Sequence, residues 1–177
     1  MIPQLFLESA VKRFKEYKSL GEKTFDQLTE EGMHFQPNKE SNSIAIIIQH
    51  MHGNMLSRWT NFLTEDGEKQ WRNRDDEFEV HQLTKEELIA RWNEGWKVVL
   101  ETLESLKEED LSKTITIRLH PLNVVDAINR QLAHYAYHVG QIVYLGRWIK
   151  QAEWTSLSVP KNKSAEFTEQ MRQSGIK

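Results

Sequence analysis

Two histidines, His134 and His138, stand four residues apart in a segment whose apolar residues recur with a helical period. In an α-helix this spacing places both side chains on one face, with their Cβ atoms roughly 5–6 Å apart. Two imidazole rings in that arrangement can each bring a nitrogen to the same cation. The same spacing also occurs between histidines that only make hydrogen bonds, so the pair alone leaves a metal site and a structural role open.

A third histidine, His50, lies in a segment that shares an unusual composition with the segment of the pair. No Asp, Glu, Lys or Arg occurs from 41 to 57 or from 131 to 146. A helix without charges on any face is normally buried on several sides, by its own chain or by a partner subunit. An imidazole buried without a partner costs about 1–3 kcal/mol, and one divalent cation would give all three a partner. His52 points about 200° away from His50 around a helix, so only one of these two can face such a site.

Three amide side chains fall in polar stripes beside these histidines. They are Asn54, which follows His50 by four residues, and Gln131 and Gln141 on the segment of the pair. We interpret them as candidates to bind a cofactor or to orient the imidazole rings. An ordinary hydrogen bond between helices is the alternative for each of them.

Four long helical segments must position these side chains. The start of the second is marked by a cap at Ser43 or Asn42. The start of the third is marked by Thr84, which forms a capping-box spacing with Glu87 three residues later. Between the last two helices, Thr114 to Arg118 alternates like a strand, and we expect an unpaired extended crossover there. The predicted helices run from about 3 to 28, from 43 to 64, from 84 to 106 and from 123 to 151, with a loop around Gly32, a long connection from 66 to 82 and a tail containing a short helix near 166–171.

Two further features are interpreted as structure. Trp59, Trp92, Trp96 and Trp148 occur at helical spacings and are expected as core or interface anchors. The charged segment from 72 to 77 is expected to be a solvated loop. These segments together predict an all-α fold, a helical bundle.

Composition restricts the classes of protein that this chain can represent. Its 177 residues, 38% hydrophobic and 28% charged, suffice for one domain, expected to span 1–177 with an irregular tail over 153–177. A formal net charge of -3 argues against a nucleic-acid partner. The absence of cysteine excludes disulfides, iron–sulfur clusters and a thiol nucleophile from the chain itself. Charges throughout Met1 to Leu20 predict neither a signal peptide nor a membrane span, and hence a cytoplasmic protein.

Two sequence stretches carry a resemblance to a known family. SIAIIIQHMHGNMLSRW and, much later, QLAHYAYHVGQIVYLGRW resemble the DinB/YfiT-like superfamily, and most closely its DUF1572 branch. WTNFLTEDGEKQWRNRDDEFE and the tail EWTSLSVPKNKSAEF are similar to that branch too, so the resemblance covers nearly the whole chain. Its most specific element is one histidine on the second long helix followed by an HxxxH pair on the fourth.

The resemblance implies a four-helix bundle with up-down-down-up connectivity, often assembled as a homodimer. It also implies a divalent metal, most often zinc or nickel, on three histidines. Carried over to this chain, the ligands are His50, His134 and His138, and His52 does not match a ligand position. Characterised relatives are transferases or isomerases that act on small molecules with a low-molecular-weight thiol such as bacillithiol. The DUF1572 branch itself has no settled reaction.

Three protein nitrogens leave at least one coordination position open, which is typical of catalytic rather than structural zinc sites. Because the chain has no cysteine, a sulfur nucleophile must come from outside. The leading hypothesis is therefore a metal-dependent thiol transferase acting on small electrophiles. A non-enzymatic protein whose metal or histidine cluster only supports the fold is one alternative, and a metal-dependent hydrolase is another.

Overall fold

Two of the long helices begin at side chains that the sequence offers as caps, and a third begins after Asn123, near its predicted start. Ser43 Oγ accepts a hydrogen bond from the Ile46 N–H at 3.2 Å. Thr84 and Glu87 form the reciprocal capping box that their spacing predicts, and Asn123 caps the last long helix through its side chain. Each cap satisfies N–H groups that the first helical turn leaves without an intrahelical partner. These predicted starts are confirmed.

The computed structural model describes residues 2–174, which are mostly helical. A hairpin of two short strands and three 3-10 turns complete the described part of the chain. The helices are α1 (Ile2–Phe25), α2 (Glu30–His34), α3 (Ile44–Trp59), α4 (Lys85–Ser105), α5 (Val124–Lys150) and α6 (Ser164–Gln173); the strands are β1 (Thr114–Ile117) and β2 (His120–Asn123); the 3-10 turns are Asp76–Phe78, Glu108–Ser112 and Gln151–Glu153.

The core lies between the four long helices. α1 and α3 each pack against both α4 and α5, so an aromatic cluster forms where these helices face one another. Phe14 meets Trp59 at 5.9 Å and Tyr135 at 5.8 Å between ring centroids, in edge-to-face arrangements that favour aromatic pairs. Trp92 and Trp96 are also buried, as predicted.

Trp148 differs from the other three tryptophans, because half of it is exposed in this chain. It therefore does not act as a core anchor. The interface role that was its alternative remains a prediction.

The expectation of an unpaired crossover at Thr114–Arg118 is wrong. β1 pairs antiparallel with β2, with Ile115 opposite Leu122. The partner strand was missed because it is only four residues long and contains Pro121, which does not alternate with apolar neighbours as a typical strand does. A two-residue turn, formed by Arg118 and Leu119, connects the strands.

Two helix predictions need correction near loops. The second predicted helix was expected to reach about Thr64, but α3 ends at Trp59, and Asn61 adopts a left-handed φ of 51° that does not continue a helix. The region around Gly32 was expected to be a loop and instead contains α2. Thr29 caps this short helix by accepting a hydrogen bond from the Gly32 N–H.

The C-terminal tail contains the short helix that the sequence predicts near residues 166–171. This helix, α6, has no buried residue. Residues 175–177 of the predicted tail lie outside the described residues. Within residues 2–174, no helix is both long and apolar enough to cross a membrane.

Candidate metal centre

Three histidines from two helices meet in the structure. His50 lies midway along α3, and His134 and His138 lie on successive turns of α5. The Nε2 atom of His134 is 3.4 Å from Nε2 of His50 and 3.2 Å from Nε2 of His138. One nitrogen from each residue lies within 4.8 Å of the others, so the group can hold a metal ion.

The donor set fits a divalent transition metal. Zinc binds imidazole nitrogens at about 2.0–2.1 Å in tetrahedral geometry, which separates two ligand nitrogens by about 3.3 Å. The two Nε2 separations that involve His134 match that distance. Imidazole suits zinc, nickel, copper and iron alike, so the donor set does not select one of these ions.

The outer nitrogens of two rings are held by hydrogen-bond acceptors. His50 Nδ1–H donates to Glu77 Oε2 at 3.0 Å, and His138 Nδ1–H donates to Gln141 Oε1 at 2.9 Å. A proton on Nδ1 of a neutral ring leaves the lone pair on Nε2. When neutral, a ring held in this way directs its unprotonated nitrogen towards His134, as ligating histidines do when a carboxylate or carbonyl orients them.

The electrostatic environment keeps two of these rings neutral at pH 7. Burial, together with the neighbouring His138, His50 and arginines, lowers the pKa of His134 to about 3. Burial likewise lowers the pKa of His138 to about 4, against the hydrogen bond to Gln141. Neutral imidazoles carry the free lone pairs that a metal ion requires.

Glu77 is the functional residue that the sequence reasoning missed. It lies in the segment expected to be a solvated loop, yet its side chain is 8% exposed, and that of Arg72, its partner, is 2% exposed. Arg72 donates to both carboxylate oxygens at 2.7 and 2.8 Å. Burial alone would raise the pKa of Glu77, but the hydrogen bonds from His50 and Arg72 outweigh it and lower this pKa. The solvated-loop interpretation is therefore wrong for these two residues.

No local signal marked Glu77. Its segment has no helical or strand period, and its charges resemble those of any exposed connection. It is placed by contacts with α3, where the Gln49 amide donates to the backbone oxygen of Glu79 at 3.1 Å. This contact ties the connection to the helix one residue before His50.

The three predicted amides have different surroundings. Gln141 orients His138, as described above. Asn54 Oδ1 accepts from the Tyr135 hydroxyl at 3.1 Å, which is the helix–helix bond weighed as its alternative. Gln131 is 3% exposed, and its Oε1 has no hydrogen-bond partner among residues 2–174. Asn54 and Gln131 both border an open cavity of about 610 Å³ that also reaches the three histidines.

His52 lies away from this cluster, as its helical position predicts. Its Nε2 is 2.8 Å from Glu94 Oε2 on α4. The neighbouring histidines of α3 thus face different surroundings, and His50 is the one that meets the α5 pair.

These observations define a helical protein with a three-histidine cluster that can hold a metal ion beside an open cavity. The model of the DUF1572 family, described as a protein of unknown function, matches residues 1–163, so the chain belongs to this family. The family resemblance seen in the sequence is therefore confirmed, and the DinB-like superfamily is consistent with it. None of the curated proteins compared with the chain matches it.

Replacing Glu77 should destabilise the protein, because Glu77→Gln leaves the buried Arg72 guanidinium without its bidentate partner. We expect the free energy of unfolding to fall by about 3 kcal/mol, measured by urea denaturation followed by circular dichroism.

Glu94→Gln is the matched control, since Glu94 also accepts from a histidine of α3 but its side chain is 61% exposed. Its loss should change the unfolding free energy by at most about 0.5 kcal/mol. Equal losses in the two variants would contradict the role assigned to Glu77.

Proposed function

We propose that this protein is a metal-dependent enzyme that activates a small external thiol for transfer to an electrophile. The observation that carries the proposal is the convergence of three imidazole nitrogens at an open cavity. Among residues 2–174, no fourth histidine, aspartate or glutamate joins the group. An open coordination position beside a cavity is typical of catalytic metal sites.

Each residue of the site would have its own role. His50, His134 and His138 would hold a divalent cation, and Glu77 and Gln141 would keep two of these rings in the ligating tautomer. When bound, such a cation lowers the pKa of a coordinated thiol or water towards neutrality. Gln131 and Asn54 would position the ligand from the cavity wall. Because the chain contains no cysteine, the thiol would come from a small molecule such as bacillithiol.

The packing of the long helices supports a more detailed proposal about the fold. The mutual packing of α1, α3, α4 and α5 agrees with a four-helix bundle of the up-down-down-up type that the superfamily resemblance implies. We infer that residues 1–177 form one such domain. In that arrangement the ligands come from the second and fourth long helices.

One observation favours a non-enzymatic alternative. Nε2 of His134 lies within hydrogen-bond distance of both other Nε2 atoms. A proton on Nε2 of His134 would therefore form a hydrogen bond to Nε2 of one of the other two rings without any metal. The metal content of the protein tests the alternative of a cluster without metal, and turnover by the metal-loaded protein separates the enzyme from a structural metal site.

His138→Ala should remove metal binding, because two imidazoles remain where three are needed. We expect zinc affinity to fall by at least about 100-fold, together with loss of the rise in melting temperature that zinc produces in the wild type. Isothermal titration calorimetry and elemental analysis measure both. His52→Ala, which removes a histidine of α3 that lies outside the cluster, should bind zinc like the wild type. Unchanged zinc stoichiometry in His138→Ala would end the metal assignment.

Metal-loaded protein should catalyse conjugation of bacillithiol to monochlorobimane. In this reaction the sulfur forms a bond to carbon, chloride leaves with the electrons of the broken C–Cl bond, and the thiol proton passes to solvent. Fluorescence follows the product. His138→Ala should show only the uncatalysed rate, whereas His52→Ala should retain turnover. Metal-loaded wild type that never exceeds the uncatalysed rate would count against the transferase.

We also infer a homodimer built on the outer face of α5. Tyr137, Gly140, Tyr144 and Trp148 follow one another at three- or four-residue spacing, and the three aromatic residues are at least half exposed. A Cβ added to Gly140 would meet nothing within 4 Å. An exposed aromatic face with a glycine near its centre suits close packing against the same face of a second copy.

If the protein is a dimer, its mass in solution should be twice that of the 20.9 kDa chain. Light scattering at micromolar concentration measures this mass. Tyr144→Glu places a charge within the proposed interface and should give a monomer. Leu5→Glu, a control at a similarly exposed residue of α1, should remain dimeric. A monomeric wild type would refute the assembly.

A further inference from the structure

The cavity beside the histidines is strongly basic. Five arginines line it, although the chain as a whole has a formal net charge of -3. They come from α3, from the connection before α4, from the hairpin turn and from α5: Arg58, Arg72, Arg74, Arg118 and Arg130. The sequence shows no basic cluster, because these residues are spread over more than seventy positions.

Three of these arginines form ion pairs with carboxylates of the protein. Glu68 pairs with Arg58 at 2.8 Å and with Arg118 at 2.9 Å. Glu77 pairs with Arg72, as described above. Two carboxylates thus serve three guanidinium groups, and the cavity keeps an excess of positive charge.

The other two arginines have no acidic partner among residues 2–174. Arg74 lies over the Phe78 ring, 5.1 Å from its centroid, and Phe78 in turn lies 4.7 Å from the ring of His50. Arg130 is on α5, one turn before His134, so their side chains share a helix face. The connection and α5 each therefore bring one unpaired cation to the cavity next to a histidine of the cluster.

The hairpin turn is held at the edge of this cavity. Arg118 and Leu119 both have left-handed φ values, 54° and 63°, which residues other than glycine rarely adopt. The carboxylate of Asp66 holds the turn by accepting from both backbone N–H groups at 2.9 and 2.8 Å. A two-residue hairpin turn normally requires left-handed values at both of its central residues. The turn carries Arg118 at the edge of the cavity.

We propose that this cavity binds a small organic dianion, whose carboxylate or phosphate group is held by Arg74 and Arg130 beside the histidine cluster. Guanidinium groups recognise both oxyanions through paired N–H donors. The volume of about 610 Å³ is within the range of small-molecule sites. The unpartnered Oε1 of Gln131 offers an acceptor for an N–H or O–H of the same molecule. As a substrate assignment the proposal rests on the proposed function, but the binding of the anion does not.

Calorimetric titration with succinate and with inorganic phosphate, at constant ionic strength and in both zinc-free and zinc-loaded protein, tests the proposal. The wild type should bind at least one of the two probes, and the tighter one identifies the oxyanion. Succinamide, which has the shape of succinate without its charge, should not bind. Arg74→Gln and Arg130→Gln should each weaken binding about tenfold or more, because each removes a charge-assisted contact.

Arg13→Gln is the matched control, since it removes the same charge from an exposed position of α1 outside the cavity. It should bind both probes like the wild type. Arg74 and Arg130 are exposed and unpaired, so their variants should keep the wild-type melting temperature and zinc stoichiometry. Equal binding by the wild type and the Arg74/Arg130 double variant, or no binding of either probe, would overturn the proposal.

The two proposals fail separately in this experiment. Arginine-dependent anion binding in a protein that takes up neither zinc nor nickel, copper or iron would retain the anion site and reject the metal-dependent function. Stoichiometric zinc binding without arginine-dependent anion binding would retain the metal site and reject the anion site.

Discussion

The buried contact among Arg72, Glu77 and His50 connects the parts of the site that the chain supplies separately. Glu77 lies in a connection without regular secondary structure, and burying its carboxylate is tolerable only because it accepts from a guanidinium and an imidazole at once. The same contact holds the connection against α3, sets the tautomer of His50 and brings neighbouring residues of the connection to the cavity. Both the histidine cluster and the basic wall thus depend on it.

Burial has opposite consequences for the two kinds of basic side chain at this site. It lowers the pKa values of His134 and His138 well below neutrality, so these rings are uncharged and can act as ligands. The arginines keep their charge, and they lie around the rings and lower the pKa of His134 further. The result is a pair of neutral donors beside a cationic wall. This combination suits a ligand that offers one donor atom to a metal and an anionic group to the protein.

Local sequence patterns predicted much of the helical framework. The caps at Ser43 and Thr84 follow from hydrogen bonds that reach only three residues, so the sequence indicates them without knowledge of the fold. The hairpin was not predicted, because pairing of β1 with β2 and the support of its turn by Asp66 depend on contacts between distant segments. The end of α3 was placed too late for a related reason, since the left-handed residue Asn61 gives no signal in the periodicity.

By itself the sequence determined that His134 and His138 share a helix face and that His50 and His52 do not. Both facts follow from the fixed rotation of 100° per residue in an α-helix. It also determined that any thiol must come from outside the chain. Only the tertiary structure decided that His50 meets the α5 pair, that Glu77 is buried, and that five dispersed arginines face one cavity. The conformation of a connection is set by what it packs against, and no local period records that.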